Sequence, residues 1–243
     1  MRVAVLGMGR LGRSMTLQLR AAGHEVVVWR RGMAMPEAEV FWLTVSDRSI
    51  AEVADLVPAD QLVLHASGAT DLTPLAGHAQ HGSLHPLQSF PGPEVAMPPV
   101  EGVPAAIAGT PRALDVARQL ALDMGFEPFE VPGDRRLYHA AAVMAGNFAT
   151  TLLHAASQAL AQAGVPESEA PRLLAPLAIA SIRQAAEQGC AAALTGPYKR
   201  GDRAVVRDHL AAIDASTPDI AALYRELGKR TWALSGLHDE EGV

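Results

Sequence analysis

Residues 4–14 read Ala-Val-Leu-Gly-Met-Gly-Arg-Leu-Gly-Arg-Ser, and three of them fit the spacing G-x-G-x-x-G. An apolar run at residues 3–6 precedes the glycines, a helical stretch at 11–22 follows, and a second apolar run covers 25–29. In such a strand–turn–helix unit the glycines permit the tight turn, the approach of a pyrophosphate and the close packing of helix on strand. The free N–H groups of the helix N-terminus also favour a phosphate. We therefore predict a dinucleotide site, the alternative being a glycine-rich turn without a ligand; its residues are Gly7, Met8, Gly9, Arg10, Leu11 and Gly12.

The end of the second apolar run indicates which dinucleotide binds. An NAD site usually carries Asp or Glu about 20 residues after the glycines, to bind the ribose 2′-hydroxyl. Here the run ends Val28-Trp29-Arg30-Arg31, without an acid, although the whole chain has a formal net charge of −6. The planar guanidinium fork suits a 2′-phosphate. Arg30 and Arg31 therefore favour NADP(H), unless they belong to a solvated loop.

Composition excludes several classes of protein. The chain has 243 residues, of which 49% are hydrophobic, so it can bury a sizeable core. No apolar run reaches the roughly 18 residues of a membrane span, and an apolar strand begins at once, leaving no room for a signal peptide. A single cysteine, Cys190, fits a reducing compartment. We expect a cytoplasmic protein that binds neither membranes nor nucleic acid, since the chain is acidic.

The first half of the chain alternates strand and helix patterns, which predicts an α/β fold. This alternation is typical of a doubly wound parallel sheet with helices on both faces. Further strands are predicted over residues 40–45, 61–65, 82–85, 105–108 and 126–131. Ligands of such sheets bind beyond the carboxyl ends of the strands. That edge should therefore add to the cofactor site the residues Thr44, Val45, Ser46, Ser67 and Gly68, and it should also carry His85.

The second half of the chain is predicted to be all α-helical. Residues 134–163 contain one glycine and no proline, which predicts a single long helix that Asp134 caps. Three more helices are predicted over 169–188, 202–215 and 217–234. We place a Rossmann-like NADP-binding domain at 1–132 and a helical substrate and dimerisation domain at 133–243. So long an alanine-rich helix is hard to bury in a small domain, so we expect a homodimer through these helices. The alternative is a monomer with a compact helical lobe.

Five segments of the chain together resemble a known family. They are Gly7-Met-Gly-Arg-Leu-Gly12, His65-Ala-Ser-Gly68, Leu84-His-Pro-Leu-Gln-Ser-Phe90, Tyr138-His-Ala-Ala-Ala142 with Asn147, and Leu194-Thr-Gly-Pro-Tyr-Lys-Arg-Gly-Asp202 with His209. Over nearly its whole length the chain resembles bacterial proteins that join a Rossmann-like domain to a C-terminal helical domain of unknown function. The resemblance implies an NADP-dependent oxidoreductase, related to ketopantoate reductases, pyrroline-5-carboxylate reductases and β-hydroxyacid dehydrogenases. It does not fix a substrate.

One departure from these relatives concerns the proton donor. The resemblance to β-hydroxyacid dehydrogenases implies a catalytic lysine four residues before an asparagine on the first long helix. Asn147 matches the asparagine, but Val143 stands at the lysine position, and His139 lies one turn earlier. The spacing i, i+4, i+8 would place these residues on one face. Because histidine titrates near neutrality, we predict that His139 donates the proton and Asn147 orients the acceptor. The alternative is that both tie the helix to the sheet by buried hydrogen bonds.

Other residues could take part in the same chemistry. His85 could contact the substrate or fix the loop that follows it. Tyr138 could donate a proton through its hydroxyl, but its adjacency to His139 predicts that only one of these two side chains faces the site. Lys199 is the candidate if the donor is a lysine, because the chain has only two lysines.

The spacing His78-x-x-His81-x-x-x-His85 raises the question of a metal site. No cysteine or convincing carboxylate accompanies these histidines, and Pro86 breaks any helix that would align them, so we expect no metal. The sequence thus predicts an NADP(H)-dependent reductase of a small carbonyl or imine substrate, for example a 2-oxo acid such as ketopantoate. The alternative is a non-catalytic NADP(H)-binding sensor or regulatory protein.

Overall fold

One seven-stranded sheet organises the first part of the chain in the computed structural model, which describes residues 1–92 and 94–237. The strand order is β2-β1-β3-β4-β5-β6-β7, and the pairs are parallel except for β5 with β6. This mostly parallel sheet confirms the predicted Rossmann-like fold. The strands are β1 (Arg2–Leu6), β2 (Glu25–Trp29), β3 (Val40–Leu43), β4 (Leu62–His65), β5 (Gln80–Pro86), β6 (Pro104–Gly109) and β7 (Glu127–Glu130).

The antiparallel pair β5–β6 departs from the parallel sheet that the sequence predicts. In this pair Leu84 lies opposite Ile107, and Pro86 lies opposite Ala105. A parallel pair needs a crossover connection, which is usually a helix. The proline-rich connection at 87–103 contains no helix among its described residues, so the chain returns in the opposite direction. Parallel pairing resumes between β6 and β7, which are joined by α3 (Pro111–Asp123).

Both faces of the sheet are covered, as successive residues of β1 show. Val3 and Val5 belong to one buried cluster, together with residues of α1 (Arg10–Ala21) and α3. Ala4 and Leu6 belong to a second cluster on the other face, together with residues of α2 (Ile50–Ala54). Because side chains alternate along a strand, a sheet buried on both faces has continuously apolar strands.

The predicted long helix is interrupted by a π-helical segment. It consists of α4 (Arg135–Val143), the π turn at Met144–Phe148 and α5 (Ala149–Gln162). The carboxylate of Asp134 accepts a hydrogen bond from the backbone N–H of Arg136, which confirms the predicted cap. A π turn bonds i to i+5, so it changes the helical periodicity. The i, i+4, i+8 spacing of a regular α-helix therefore does not apply across this turn, and the shared face of His139 and Asn147 stays a prediction.

Five more helices follow α5 in the described part of the chain. They are α6 (Ala170–Gln188), α7 (Cys190–Ala193), α8 (Gly196–Arg200), α9 (Arg203–Ser216) and α10 (Pro218–Ser235). The sequence did not predict the two short helices α7 and α8. The chain separates into two compact units, Met1–Gly146 and a second that begins at Asn147. The predicted boundary after residue 132 stays a prediction, and residues 238–243 of the predicted second domain lie outside the described residues.

No helix within residues 1–92 and 94–237 combines the length and the apolar character that crossing a membrane requires.

Candidate functional site

The glycine turn after β1 is closely packed on one side and open on the other. Gly7 has φ +105°, which favours glycine, and a Cβ there would lie 2.8 Å from Cγ1 of Val45. A Cβ on Gly12 would overlap the carbonyl oxygen of Gly7 and would lie 2.6 Å from Oγ1 of Thr44. At Gly9 a Cβ would meet no atom within 4 Å. The turn therefore leaves open the one glycine that was predicted to face a pyrophosphate.

Thr44 stabilises this turn by contacts with its backbone carbonyl oxygens. Its side chain is buried, and its hydroxyl donates a hydrogen bond to the carbonyl oxygen of Gly7 at 2.7 Å. The same hydroxyl lies 3.2 Å from the carbonyl oxygen of Leu6. Thr44 was predicted from its position after β3 as a cofactor residue. In the structure its contacts are with the backbone of the turn.

A cavity of about 390 Å³ opens beside the glycine turn. It lies at the carboxyl ends of β1, β2 and β3, which is where ligands of such sheets bind. Three of its lining residues are arginines, and one of these, Arg13, was not predicted. A signal for Arg13 was its place in the first turn of the helix after the glycines. The lining residues are Gly7, Met8, Arg13, Trp29, Arg30, Arg31, Val45, Ser49 and Val53.

Arg30 and Arg31, the two predicted arginines, lie in a tight turn that follows β2. The backbone N–H of Met33 donates to the carbonyl oxygen of Arg30 at 3.0 Å, and Nε1 of Trp29 donates to the carbonyl oxygen of Met33 at 2.9 Å. Arg31 also meets a carboxylate, since its Nη2 lies 3.0 Å from both carboxylate oxygens of Glu52 on α2. Sequence reasoning missed Glu52, because this acid reaches the end of β2 from a different element.

The other predicted cofactor residues have different environments. Arg10 is exposed at the start of α1, whereas Leu11 is partly buried against the core cluster of that face. Oγ of Ser46 lies 3.2 Å from Oγ of Ser49, which lines the cavity. Ser67 and Gly68 follow β4 and belong to a second group of side chains. The cofactor roles of all these residues stay predictions.

Three aromatic side chains meet at the carboxyl end of β5, and we call His85, Tyr138 and His139 the ring cluster. Nδ1 of His85 lies 2.7 Å from the hydroxyl of Tyr138, within hydrogen-bonding distance. The His85 ring makes edge-to-face contacts with Tyr138 at 5.6 Å and with His139 at 6.1 Å between centroids. Both Tyr138 and His139 thus contact His85, and which of the two faces a substrate stays a prediction. Neighbouring residues of a helix point about 100° apart, so one ring placed between them contacts both.

Gly68 makes room for two of these rings. A Cβ at this position would lie 2.7 Å from Nδ1 of His139 and 2.9 Å from Cε1 of His85. Nδ1 of His139 is itself buried, and the described part of the chain offers it no hydrogen-bond partner. Gly68 was predicted to bind the cofactor, but its visible role is to let the loop after β4 approach the ring cluster.

Arg135 connects the start of α4 to the same loop. Its side chain is 8% exposed, its Nε donates to the carbonyl oxygen of Thr70 at 3.1 Å, and its Nη2 donates to that of Ser67 at 2.9 Å. The guanidinium carbon lies 5.9 Å from the centre of the Tyr138 ring. These contacts orient the first turn of α4 and place a positive charge beside the ring cluster. Sequence reasoning did not single out Arg135.

His65 is a fully buried histidine with a defined tautomer. The backbone N–H of Ser67 donates to its Nδ1 at 3.2 Å, so that nitrogen is unprotonated. Its Nε2 then carries the proton and donates to the carbonyl oxygen of Asp71 at 3.1 Å. Burial, and next the charge of Arg135, lower the pKa of His65 to about 4.

Two members of the ring cluster, His85 and Tyr138, are uncharged near pH 7. Burial, together with the charges of His139 and Arg135, lowers the pKa of His85 to about 4. Burial raises the pKa of Tyr138, and the charge of Arg135 offsets part of that rise. His85 is therefore an uncharged imidazole beside an uncharged phenol.

The remaining predictions concern Asn147 and Lys199 of the second compact unit and the histidines His78 and His81. Asn147, in the π turn, and Lys199, on α8, belong to the second compact unit, so their roles stay predictions. His78 and His81 make backbone contacts, His78 with the carbonyl oxygen of Val57 and His81 with that of His78. Residues 1–92 and 94–237 contain no group of three potential metal ligands.

Comparison with protein families decides the family of this chain. Residues 103–231, more than half of the sequence, match a family described as a domain of unknown function, DUF2520. The chain belongs to the DUF2520 family. A comparison of the sequence with curated proteins finds no match.

Several solved structures share the fold of this DUF2520 protein. A proposed NADP oxidoreductase from Bacteroides fragilis has a TM-score of 0.80 at 20% identity and covers 96% of this chain and 98% of its own. A 1-pyrroline-5-carboxylate reductase from Streptococcus pyogenes has a TM-score of 0.66 at 13% identity, with the same coverages. A reductive aminase from Aspergillus terreus, solved with NADPH and ethyl-5-oxohexanoate, has a TM-score of 0.67 at 16% identity and covers 98% of this chain and 96% of its own. The TM-scores show a shared fold, and at these identities the similarity shows the fold alone.

We expect His65 to make the stability of the protein depend on pH. Below pH 6.5 the unfolded chain binds a proton at this residue, while the native state binds it only near pH 4, so stability falls as the pH falls through that window. One such group contributes a slope of up to about 1.4 kcal/mol per pH unit. Urea unfolding between pH 4.5 and 6 should show a shallower dependence in His65→Gln than in the wild type. Equal slopes would contradict the assignment.

Proposed function

We propose that this DUF2520 protein is an NADP(H)-dependent reductase of a small carbonyl or imine compound. The observation that carries the proposal is the cavity beside the open side of the glycine turn, which Arg13, Arg30 and Arg31 line. A guanidinium binds phosphate oxygens through two parallel hydrogen bonds, and a helix N-terminus favours the same charge. Reductases of the same fold, one of them solved with NADPH, support this reading.

The strand order indicates in which direction a bound NADP(H) molecule would extend along the sheet edge. Arg30 and Arg31 follow β2, the glycine turn follows β1, and His85 lies at the end of β5. With the 2′-phosphate at β2 and the pyrophosphate at β1, the nicotinamide points along the sheet edge toward β4 and β5. Three strand spacings of about 4.8 Å separate β1 from β5. The ring cluster thus lies on the side of the glycine turn where the nicotinamide would be.

The bound dinucleotide would supply the hydride, and the protein would supply the proton. Hydride transfer to a carbonyl or imine needs a held nicotinamide, an oriented acceptor and a proton donor. The ring cluster offers a phenol and two imidazoles at one point of the sheet edge. Asn147 and Lys199 remain further candidates for orienting the acceptor or donating the proton. We propose a 2-oxo acid, such as ketopantoate, as the acceptor.

Turnover tests the reaction. NADPH oxidation at 340 nm should occur with at least one member of a panel of 2-oxo acids, including ketopantoate, and of cyclic imines, including 1-pyrroline-5-carboxylate. Tight NADPH binding without turnover of any member would favour a non-catalytic sensor or regulatory protein. Absence of NADPH binding would contradict both the reductase and the sensor function.

The arginines should decide between the two nicotinamide cofactors. We expect Arg30→Ala and Arg31→Ala each to weaken NADPH binding by about 10- to 100-fold, the value of a hydrogen bond to a charged group, and to leave NADH binding unchanged. Fluorescence titration of the bound nicotinamide measures the dissociation constants of NADPH and NADH.

Glu52→Gln should tighten NADPH binding, because the carboxylate competes with the 2′-phosphate for Arg31.

A control variant separates phosphate recognition from general binding. Gly9→Ala puts a methyl group where the pyrophosphate would lie, so it should weaken NADPH and NADH alike. If the arginine variants lose both cofactors equally, the assignment of the 2′-phosphate is wrong.

We further propose that the protein is a homodimer through its helical unit. The helix α6 exposes large apolar side chains on several sides, and a helix that is apolar all round is normally buried. Their exposures are 48% for Leu173, 68% for Leu177, 56% for Ile179 and 60% for Ile182. A second copy of the chain would cover this surface, as in the isologous dimers that are the commonest assembly.

Charged substitutions on α6 should dissociate the dimer. We expect the wild type to have the mass of a dimer by light scattering, and Leu177→Glu with Ile182→Glu to have that of a monomer. Leu122→Glu is the matched control, since Leu122 is 54% exposed but lies on α3 of the sheet unit. A monomeric wild type, or a control variant that also dissociates, would contradict the proposal.

A further inference from the structure

We propose that the hydroxyl of Tyr138 donates the proton to the acceptor and that His85 returns a proton to Tyr138. This inference rests on the proposed reductase function. It assigns the donor to a tyrosine rather than to His139, and it makes the adjacent imidazole a proton relay. Both residues lie in the sheet unit, at the edge where the cofactor cavity opens.

The phenol ring is held from three directions. It makes edge-to-face contacts with His85 and with Phe129 of β7, the latter at 6.0 Å between centroids. The guanidinium of Arg135 contacts the ring at 5.9 Å and is itself anchored on two carbonyl oxygens. A side chain held in this way presents its hydroxyl in one place, which is what a proton donor requires. Tyr138 and His85 are both partly exposed, so the pair is accessible.

The contacts of His139 differ from those of Tyr138. The hydroxyl of Tyr138 has a proton-exchange partner 2.7 Å away, in Nδ1 of His85. Nδ1 of His139 is buried, and among the described residues it has no such partner. Its ring contacts that of His85 edge to face at 6.1 Å between centroids, and we assign His139 a packing role beside His85.

The proton transfer balances with neutral side chains. The acceptor carbon gains the hydride that the dihydronicotinamide supplies when bound, and the electron pair of the C=O or C=N bond moves to oxygen or nitrogen. That atom takes the proton of the Tyr138 hydroxyl. Nδ1 of His85, which carries a proton in this tautomer, passes it to Oη, while Nε2 takes up a proton from solvent. His85 thus ends neutral, and exchange with solvent restores its first tautomer.

Arg135 makes the intermediate charge on oxygen less costly. A phenolate forms on Tyr138 between loss of its proton and return of another. The guanidinium beside the ring attracts this negative charge, and a pair partly screened from water interacts more strongly than one at the surface. The same positive charge disfavours protonation of His85, so the imidazole stays able to exchange a single proton.

The first test compares Tyr138→Phe with His139→Gln. A positioned general acid contributes about 10²–10⁴-fold to the rate, so Tyr138→Phe should lose that factor in kcat. Its NADPH dissociation constant should match that of the wild type, since the Phe ring keeps the packing contacts. His139→Gln should lose much less. The opposite order of the two losses would overturn the proposal. The probe is whichever panel member the wild type reduces fastest.

The second test concerns the relay. His85→Ala should lose kcat, and added imidazole should restore part of it with saturation, because a free imidazole fits beside the phenol. In Tyr138→Phe the same imidazole should restore nothing. If His85 only shapes the loop, added imidazole will not raise kcat in His85→Ala. That result would overturn the proposal that His85 returns a proton to Tyr138.

A third readout needs neither cofactor nor turnover. Long-range proton–nitrogen NMR spectra of the protein alone resolve the two imidazole nitrogens of each histidine. Tyr138→Phe should shift the Nδ1 resonance of His85 more than its Nε2 resonance, and an unchanged Nδ1 resonance would overturn the pairing. If this shift is seen but the wild type reduces no panel member, the proposed reductase function has failed and the donor role falls with it.

Discussion

The close approach of Gly12 to the carbonyl oxygen of Gly7 is the constraint on which the cavity beside the glycine turn depends. Because residue 12 has no side chain, α1 packs against the turn after β1, and Thr44 fills the space below it with a hydrogen bond to the same carbonyl. The turn therefore has its closed side toward the sheet and its open side, at Gly9, toward the cavity. A methyl group at position 12 would push the helix away and move its N-terminus from the place where a pyrophosphate can meet it.

A buried guanidinium organises the second group of side chains. Removing the charge of Arg135 from water costs several kcal/mol unless hydrogen bonds replace those to water. The carbonyl oxygens of Ser67 and Thr70 accept such bonds from Nε and Nη2, so the loop after β4 and the first turn of α4 are held together, while the buried Nη1 has no partner among the described residues. His65 fixes that loop from the other side through Ser67 and Asp71. The ring cluster is positioned by this backbone framework.

Much of the fold was predictable because its signals are local. The apolar strands, the glycine turn and the cap at Asp134 each depend on a few neighbouring residues, and the structure follows them closely. The reversal between β5 and β6 depends instead on a connection without a helix, which no strand pattern reveals. The π turn at Met144–Phe148 likewise lies inside a sequence that looks uniformly helical. Counting residues along a regular α-helix therefore could not reveal the π turn in which Asn147 lies.

The sequence by itself determined the alternation of strands and helices in the Rossmann-like unit, since each element has a local pattern. It also determined the position of the glycine turn and the arginines after β2, since both lie within one strand–helix–strand segment. Only the tertiary structure decided which side chains meet. Glu52 reaches Arg31, Arg135 reaches the loop after β4, and Tyr138 and His139 both contact His85. These partners are between 21 and 68 positions apart in the chain, and their contacts follow from strand order and helix packing. Spacing along the sequence has no means of specifying such contacts.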